Sequence, residues 1–207
     1  MLRRATLFVM IAGVSWGQSA NNDWTIVPGV RVGPINSTTT EPDLRRIFGA
    51  ANVKTVMVDV GEGFQEPGTA VFGGTPNRML QILWTANTPK RPSTIRICSE
   101  AATACQWHAA QGITMHTDLR TLEKVNGRPF PMFGFAWDYA GTVPGWGGGK
   151  LDAARGRLLV RLEEDRQKVT REELESVLGD REFVSSHPVM QKMNPRIYEM
   201  IQDFGAR

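Results

Sequence analysis

Apolar residues along this chain recur at two spacings, and the change from one to the other predicts the elements. Leu44, Ile47 and Phe48 fall three and one residues apart, as on one face of a helix, with Thr38 to Thr40 as candidate N-caps, Pro42 in the first turn and Gly49 as a stop. Val53 to Val60 is β-branched and strand-like, and Gly61-Glu62-Gly63 breaks it. Pro67-Gly68 marks a turn, and Met79 to Trp84 and Thr94 to Cys98 read as two further strands. Leu119, Leu122 and Val125 then return to helical spacing after Thr117, which can cap them, and Asn126-Gly127 ends the helix. From Met132 to Tyr139 the aromatics Phe133, Phe135, Trp137 and Tyr139 alternate, so a strand there would turn all four to one side. Arg157 to Leu162 is one more strand.

The same programme runs twice. Ile35 to Gly49 aligns without gaps on Ile113 to Gly127, with Ile35/Ile113, Thr39/Thr117, Leu44/Leu122 and Gly49/Gly127 identical. The same offset also pairs Leu80, Ile82 and Trp84 with Leu158, Val160 and Leu162. Two copies of one supersecondary unit are the simplest explanation. The expected fold is therefore α+β, with two tandem units, each a helix on an antiparallel sheet, over residues 25–110 and 111–165. After Glu163, Thr170-Arg-Glu-Glu173 is a capping box that opens a helix closed by Gly179. Val189, Met190, Met193, Ile197, Met200 and Ile201 then fall at helix-like spacing, interrupted by Pro195. Residues 166–207 are read as a C-terminal helical extension.

Residues 1–17 read as a signal peptide: Arg3 and Arg4 precede the apolar run Leu7 to Val14, and Ser15 and Gly17 suit cleavage. No later stretch approaches the ~20 apolar residues of a spanning helix. The expected location is periplasmic or secreted, with no membrane span. Export changes the charge argument, because without Arg3 and Arg4 the 24 basic residues become 22 against 21 acidic. No basic stripe remains, so nucleic acid is not an expected partner. The 41% hydrophobic fraction predicts a folded chain rather than a disordered one. Cys98 and Cys105 are the chain's two cysteines, and in an exported protein a pair this close predicts a disulfide.

No catalytic pattern survives inspection. Gly13-Val-Ser15-Trp-Gly17 has the spacing of a nucleophile elbow but lies in the leader. Gly145 to Lys150 misses the glycine spacing and the final Ser or Thr of a phosphate loop. His108, His116 and His187 share no metal-binding spacing, and neither metal nor cofactor is expected. The densest chemistry is aromatic. Phe133, Phe135 and Trp137 are expected in the core, whereas Trp146, set among glycines, is the leading candidate for a binding residue, with Tyr139, Asp138 and Glu62 beside it.

The stretches Gly112 to Phe130, Gly134 to Val143 and Gly149-Lys-Leu151 resemble a family of uncharacterised exported bacterial proteins. More distantly, the tandem of helix-plus-strands units resembles β-lactamase inhibitory protein and small outer-membrane assembly lipoproteins, although no lipid-attachment cysteine is present. The resemblance carries over neither an activity nor a contact residue, so the functional expectation rests on the duplicated scaffold and the absence of a catalytic constellation. The expectation is an exported, non-enzymatic interaction module, inhibitor-like or envelope-associated, with an unknown protein or glycan partner in the cell envelope. The alternative is an envelope glycan hydrolase using Asp138 and Glu62, with Trp146 as a sugar platform.

Overall fold

The computed structural model describes residues 23–99, 104–109, 112–154 and 156–205. The expected signal peptide lies outside the described residues. Three two-residue strands, β1 (Ile26–Val27), β2 (Arg31–Val32) and β3 (Ile35–Asn36), form a small antiparallel sheet ahead of helix α1 (Glu41–Phe48). Then come β4 (Val53–Gly61), β5 (Phe64–Val71), β6 (Leu80–Trp84), β7 (Pro92–Ile97), α2 (Leu119–Asn126) and β8 (Pro131–Phe133). The chain finishes with β9 (Leu158–Glu163), α3 (Arg171–Ser176), β10 (Glu182–Val184), α4 (Pro188–Met193) and β11 (Arg196–Asp203). Six strands make one antiparallel sheet in the order β4-β5-β6-β7-β11-β9, and β8 pairs with β10 apart from it. The α+β class is thus observed.

Both long helices form for the reasons visible in the sequence. Thr40 caps α1 through a reciprocal capping box with Asp43, and Pro42 sits in the first turn. Asp118 caps α2 by accepting from Thr121 N–H, one residue beyond the expected Thr117. Thr117 instead takes the N–H of Thr114 on its hydroxyl at 3.0 Å, as Thr39 takes that of Asn36 at 3.0 Å. Gly49 and Gly127 terminate the helices with φ of 85° and 80°, a region open to glycine without steric cost. Each helix buries one stripe, Leu44 with Phe48 and Leu119 with Leu122. Those side chains share one core with Leu80, Ile82, Ile95, Ile97, Val160 and Met200 from the sheet. Helices therefore cover one face of the sheet and leave the other open.

Cys98 and Cys105 are joined by a disulfide with Cα atoms 6.0 Å apart, closing the loop after β7. Pro67-Gly68, expected as a turn, lies inside β5. Gly68 is needed there because a Cβ would come within 2.6 Å of the Ile82 carbonyl oxygen on β6.

Two larger expectations are corrected. The helix expected from Val189 to Ile201 stops at Asn194, which is left-handed with φ 48°, and Pro195 separates it from β11. The C-terminal segment is thus not only a helical extension: its last strand runs between β7 and β9 inside the sheet. The aromatic strand is also shorter than expected. It ends before Ala136, whose φ of 73° breaks the alternation. Phe135 is therefore buried and Phe133 half-buried, while Trp137 is 65% and Tyr139 55% exposed.

Trp146, expected on an exposed loop, is 3% exposed and packs on Phe130 with ring centroids 5.0 Å apart. The glycine-rich loop is wound around a buried polar hub, Asn126. Its amide donates to the carbonyls of Arg128 and Trp146, and its oxygen accepts from Leu151 N–H. A Cβ on Gly149 would lie 2.2 Å from that oxygen, so glycine lets the backbone close on Asn126. Every polar group of the hub is satisfied, which is what makes its burial tolerable.

Trp146→Ala should therefore lose ~3–5 kcal/mol of unfolding free energy in urea denaturation, as for a large core side chain, while Trp137→Ala should lose less than ~1 kcal/mol. A second expectation concerns acid. Burial raises the Asp118 carboxyl, but hydrogen bonds from Thr121 and Asn194 and the charge of Arg196 outweigh it and hold the group below its ordinary value. A depressed folded-state value contributes stability above the unfolded pKa and loses it as pH falls through the folded one. Asp118→Ala should cost ~1 kcal/mol at neutral pH, and the gap from wild type should narrow below about pH 4 in the same denaturation series.

Candidate functional site

Alternation along the strands decides what the open face of the sheet carries. Ile95 and Ile97 of β7 point into the core, so Thr94 and Arg96 point away; on β9, Leu158 and Val160 are buried and Leu159 and Arg161 face out. β11 adds Glu199 and Ile201. Together with Leu83 these side chains floor a groove of about 1110 Å³ on the face opposite the helices.

An ion-pair network sits in this floor. Glu199 accepts from Arg96 at 2.7 Å on β7 and lies 3.5 Å from Arg161 on β9, so β11 between them supplies the shared carboxylate. The Glu199 side chain is 12% exposed, which strengthens the attraction and raises the cost of leaving it unpaired. Beside it, burial pushes the Tyr198 phenol up, against the opposing hydrogen bond and charge of Arg161.

One wall is the β4–β5 hairpin. Arg96 donates through Nη1 to the backbone carbonyl of Asp59 near the hairpin tip. In the sheet β5 and β6 lie between β4 and β7, a separation of about 14 Å at ordinary strand spacing. The contact requires the hairpin to curl over the sheet face, as the strong twist of a two-stranded ribbon allows. Glycines at 61 and 63, with φ of 100° and 77°, and Glu62 at φ 52° make the tip. Glu62, Phe64 and Glu66 line the groove, and Phe64 is 66% exposed.

The turn after Ala136 brings Asp138 and Tyr139 to the groove from the β9 end of the sheet. Tyr139 N–H donates to Asp180 at 3.3 Å, and the Tyr139 ring stacks on Phe133 at 5.3 Å between centroids. Three of the four candidate residues, Tyr139, Asp138 and Glu62, thus meet in one groove, although they come from opposite ends of the sheet. Trp146 does not join them.

Sequence reasoning missed Phe64, Arg96, Arg161 and Glu199. Two of them had a signal. Arg96 stands between Ile95 and Ile97, and Arg161 between Val160 and Leu162, so the period-two pattern marks both as facing away from the core. Among the described residues no group of three or more His, Cys, Asp or Glu side chains could hold a metal ion, and no helix is long and apolar enough to cross a membrane. Comparison with protein-family models, curated proteins and solved structures gives no match to the chain.

Glu199→Gln should remove about 2–3 kcal/mol of stability, less than the ~3–5 kcal/mol for breaking a fully buried pair because both guanidiniums partly reach water. Equilibrium unfolding of the purified variant measures it. A change below ~0.5 kcal/mol, the range of ordinary surface substitutions, would mean that the network does not hold the floor together.

Proposed function

We propose that this chain is an exported, non-enzymatic binding module that grips a partner protein of the cell envelope in the groove on the open face of its sheet. The observation that carries the reading is the pair of exposed aromatics, Phe64 and Tyr139, aimed at one groove from opposite ends of the sheet. Aromatics left in water at the edge of a concavity are characteristic anchors of protein interfaces. The disulfide fits an oxidising compartment outside the cytoplasm.

The tandem organisation belongs to the same proposal. Helix α2 starts and ends at the offset from α1 that separates Ile113 from Ile35, and β9 starts at that same offset from β6. Beyond that the halves diverge. β4 has nine residues where β8 has three, and carrying most of β7 forward by the same offset lands in α3. In this reading β11 plays for β9 the part that β7 plays for β6, after an insertion carrying α3, β10 and α4. A duplicated scaffold whose two sheets fuse edge to edge makes a broad binding face, as expected of an inhibitor-like or assembly module.

A second reading is favoured by one fact: Glu62 and Asp138 line the same groove, which is what a carboxylate pair acting on an envelope glycan requires. The two readings part in one experiment. The mature protein should retain a partner from envelope extract, and Phe64→Ala with Tyr139→Ala should lose it while unfolding free energy changes by less than ~1 kcal/mol. Release of soluble fragments from purified peptidoglycan, abolished by Glu62→Gln or Asp138→Asn, would instead make the chain a hydrolase.

A further inference from the structure

The charges of the groove say more about its occupant than its aromatics do. Arg96 and Arg161, the two cations of the floor, are both engaged by Glu199. Around them Asp59, Glu62, Glu66 and Asp138 line the groove, and among the described residues none of these four enters an ion pair. Five carboxylates against two guanidiniums leave the groove at a formal −3. The fold does not neutralise this excess, so whatever binds there meets a negative field focused by a low-dielectric floor.

The distribution of that charge matters as well as its sign. The carboxylates sit on the walls, on the hairpin tip and on the turn after Ala136, while the floor exposes Leu83, Leu159 and Ile201 between its ion pairs. A bare metal ion or a small polyamine would leave the apolar floor uncovered. An extended peptide segment matches both features, because alternate side chains of an extended chain point in opposite directions. Apolar side chains can reach the floor while lysine or arginine side chains lie along the walls. The rings of Phe64 and Tyr139 stand beside the carboxylates, and an aromatic face attracts the same cations.

Resting on the binding-module reading, we propose that the groove receives an extended, cationic segment of a partner protein, with lysine or arginine side chains held by Glu62, Glu66 and Asp138 and flanked by Phe64 and Tyr139. Electrostatic complementarity of this kind speeds encounter, selects the partner, and weakens with salt.

The test uses the mature protein and two fluorescein-labelled peptides, one alternating lysine with leucine and the other glutamate with leucine, read by fluorescence anisotropy. The lysine peptide should bind and lose affinity as salt rises, and the glutamate peptide should not bind. Glu66→Gln with Asp138→Asn should weaken the lysine peptide on the order of tenfold. These side chains form no ion pair, so an unchanged melting temperature separates lost binding from lost folding. Equal binding of both peptides, or a double variant that binds like wild type, overturns the cationic segment. Where that happens and Phe64→Ala with Tyr139→Ala still abolishes capture of the envelope partner, the binding module stands and only the chemistry of its occupant is wrong. Where capture also survives, both fall.

Discussion

The position of Glu199 governs the open face of the sheet. β11 is the last strand in the chain, yet it is seated between β7 and β9, where its carboxylate meets Arg96 on one side and Arg161 on the other. A carboxylate buried to this degree without partners would cost several kcal/mol, and two guanidiniums side by side without it would repel each other. The network is therefore stable as three groups together and strongly unfavourable once the carboxylate or both of its partners are removed. It links the three strands β7, β11 and β9 toward one end of the sheet, and that seam is where residues from the first half of the chain meet residues from the second.

The seam also organises the groove wall. Arg96 is shared: Nη2 reaches Glu199, and Nη1 reaches the Asp59 carbonyl of the curled hairpin. One guanidinium thus ties the floor to the overhanging tip. A hairpin built on glycines 61 and 63 would otherwise be free to swing, because nothing lies within 4 Å of where a side chain on either glycine would project. The opposite wall is held by backbone. Gly134 N–H donates to the Arg181 carbonyl, Phe135 N–H donates to that of Val177 and its own carbonyl accepts from Gly179 N–H, and Ala136 then turns the chain outward.

Most of the helices and strands are legible in the sequence, because local chemistry announces each: caps at Thr40 and Thr170, stops at Gly49 and Gly127, and strand-forming runs from Val53 and Leu158. What is not legible is set by tertiary contacts or by a single backbone angle. β11 mimics a helix for a specific reason. Its pairing with β9 shifts between Ile197 and Glu199, so one extra residue is inserted, and the buried side chains Ile197 and Met200 fall three apart. A bulge changes a period of two into an apparent period near that of a helix. The aromatic alternation fails at Ala136, where a left-handed non-glycine residue leaves no mark in composition. Trp146 misleads because its neighbouring glycines suggest freedom. Here they permit close approach, and the loop closes on Asn126 rather than projecting into water.

The candidate site shows the same division. Tyr139, Asp138 and Glu62 stand out by their chemistry alone, and the groove brings them together only because the hairpin curls and the chain reverses after Ala136. The residues that hold these walls, Arg96 and Glu199, do not stand out as isolated letters, since an arginine and a glutamate in strands are usually solvated. Their role follows from registration: β11 must lie between β7 and β9 for Glu199 to meet two arginines, and Arg96 must point away from the core to reach both Glu199 and Asp59. A groove whose floor is ion-paired and whose wall is tied to that floor is largely formed before anything enters it. Such preorganisation lowers the ordering cost that an incoming segment would otherwise meet. The wall carboxylates Glu62, Glu66 and Asp138 stay outside any ion pair among the described residues, while the three charges beneath them hold the floor together.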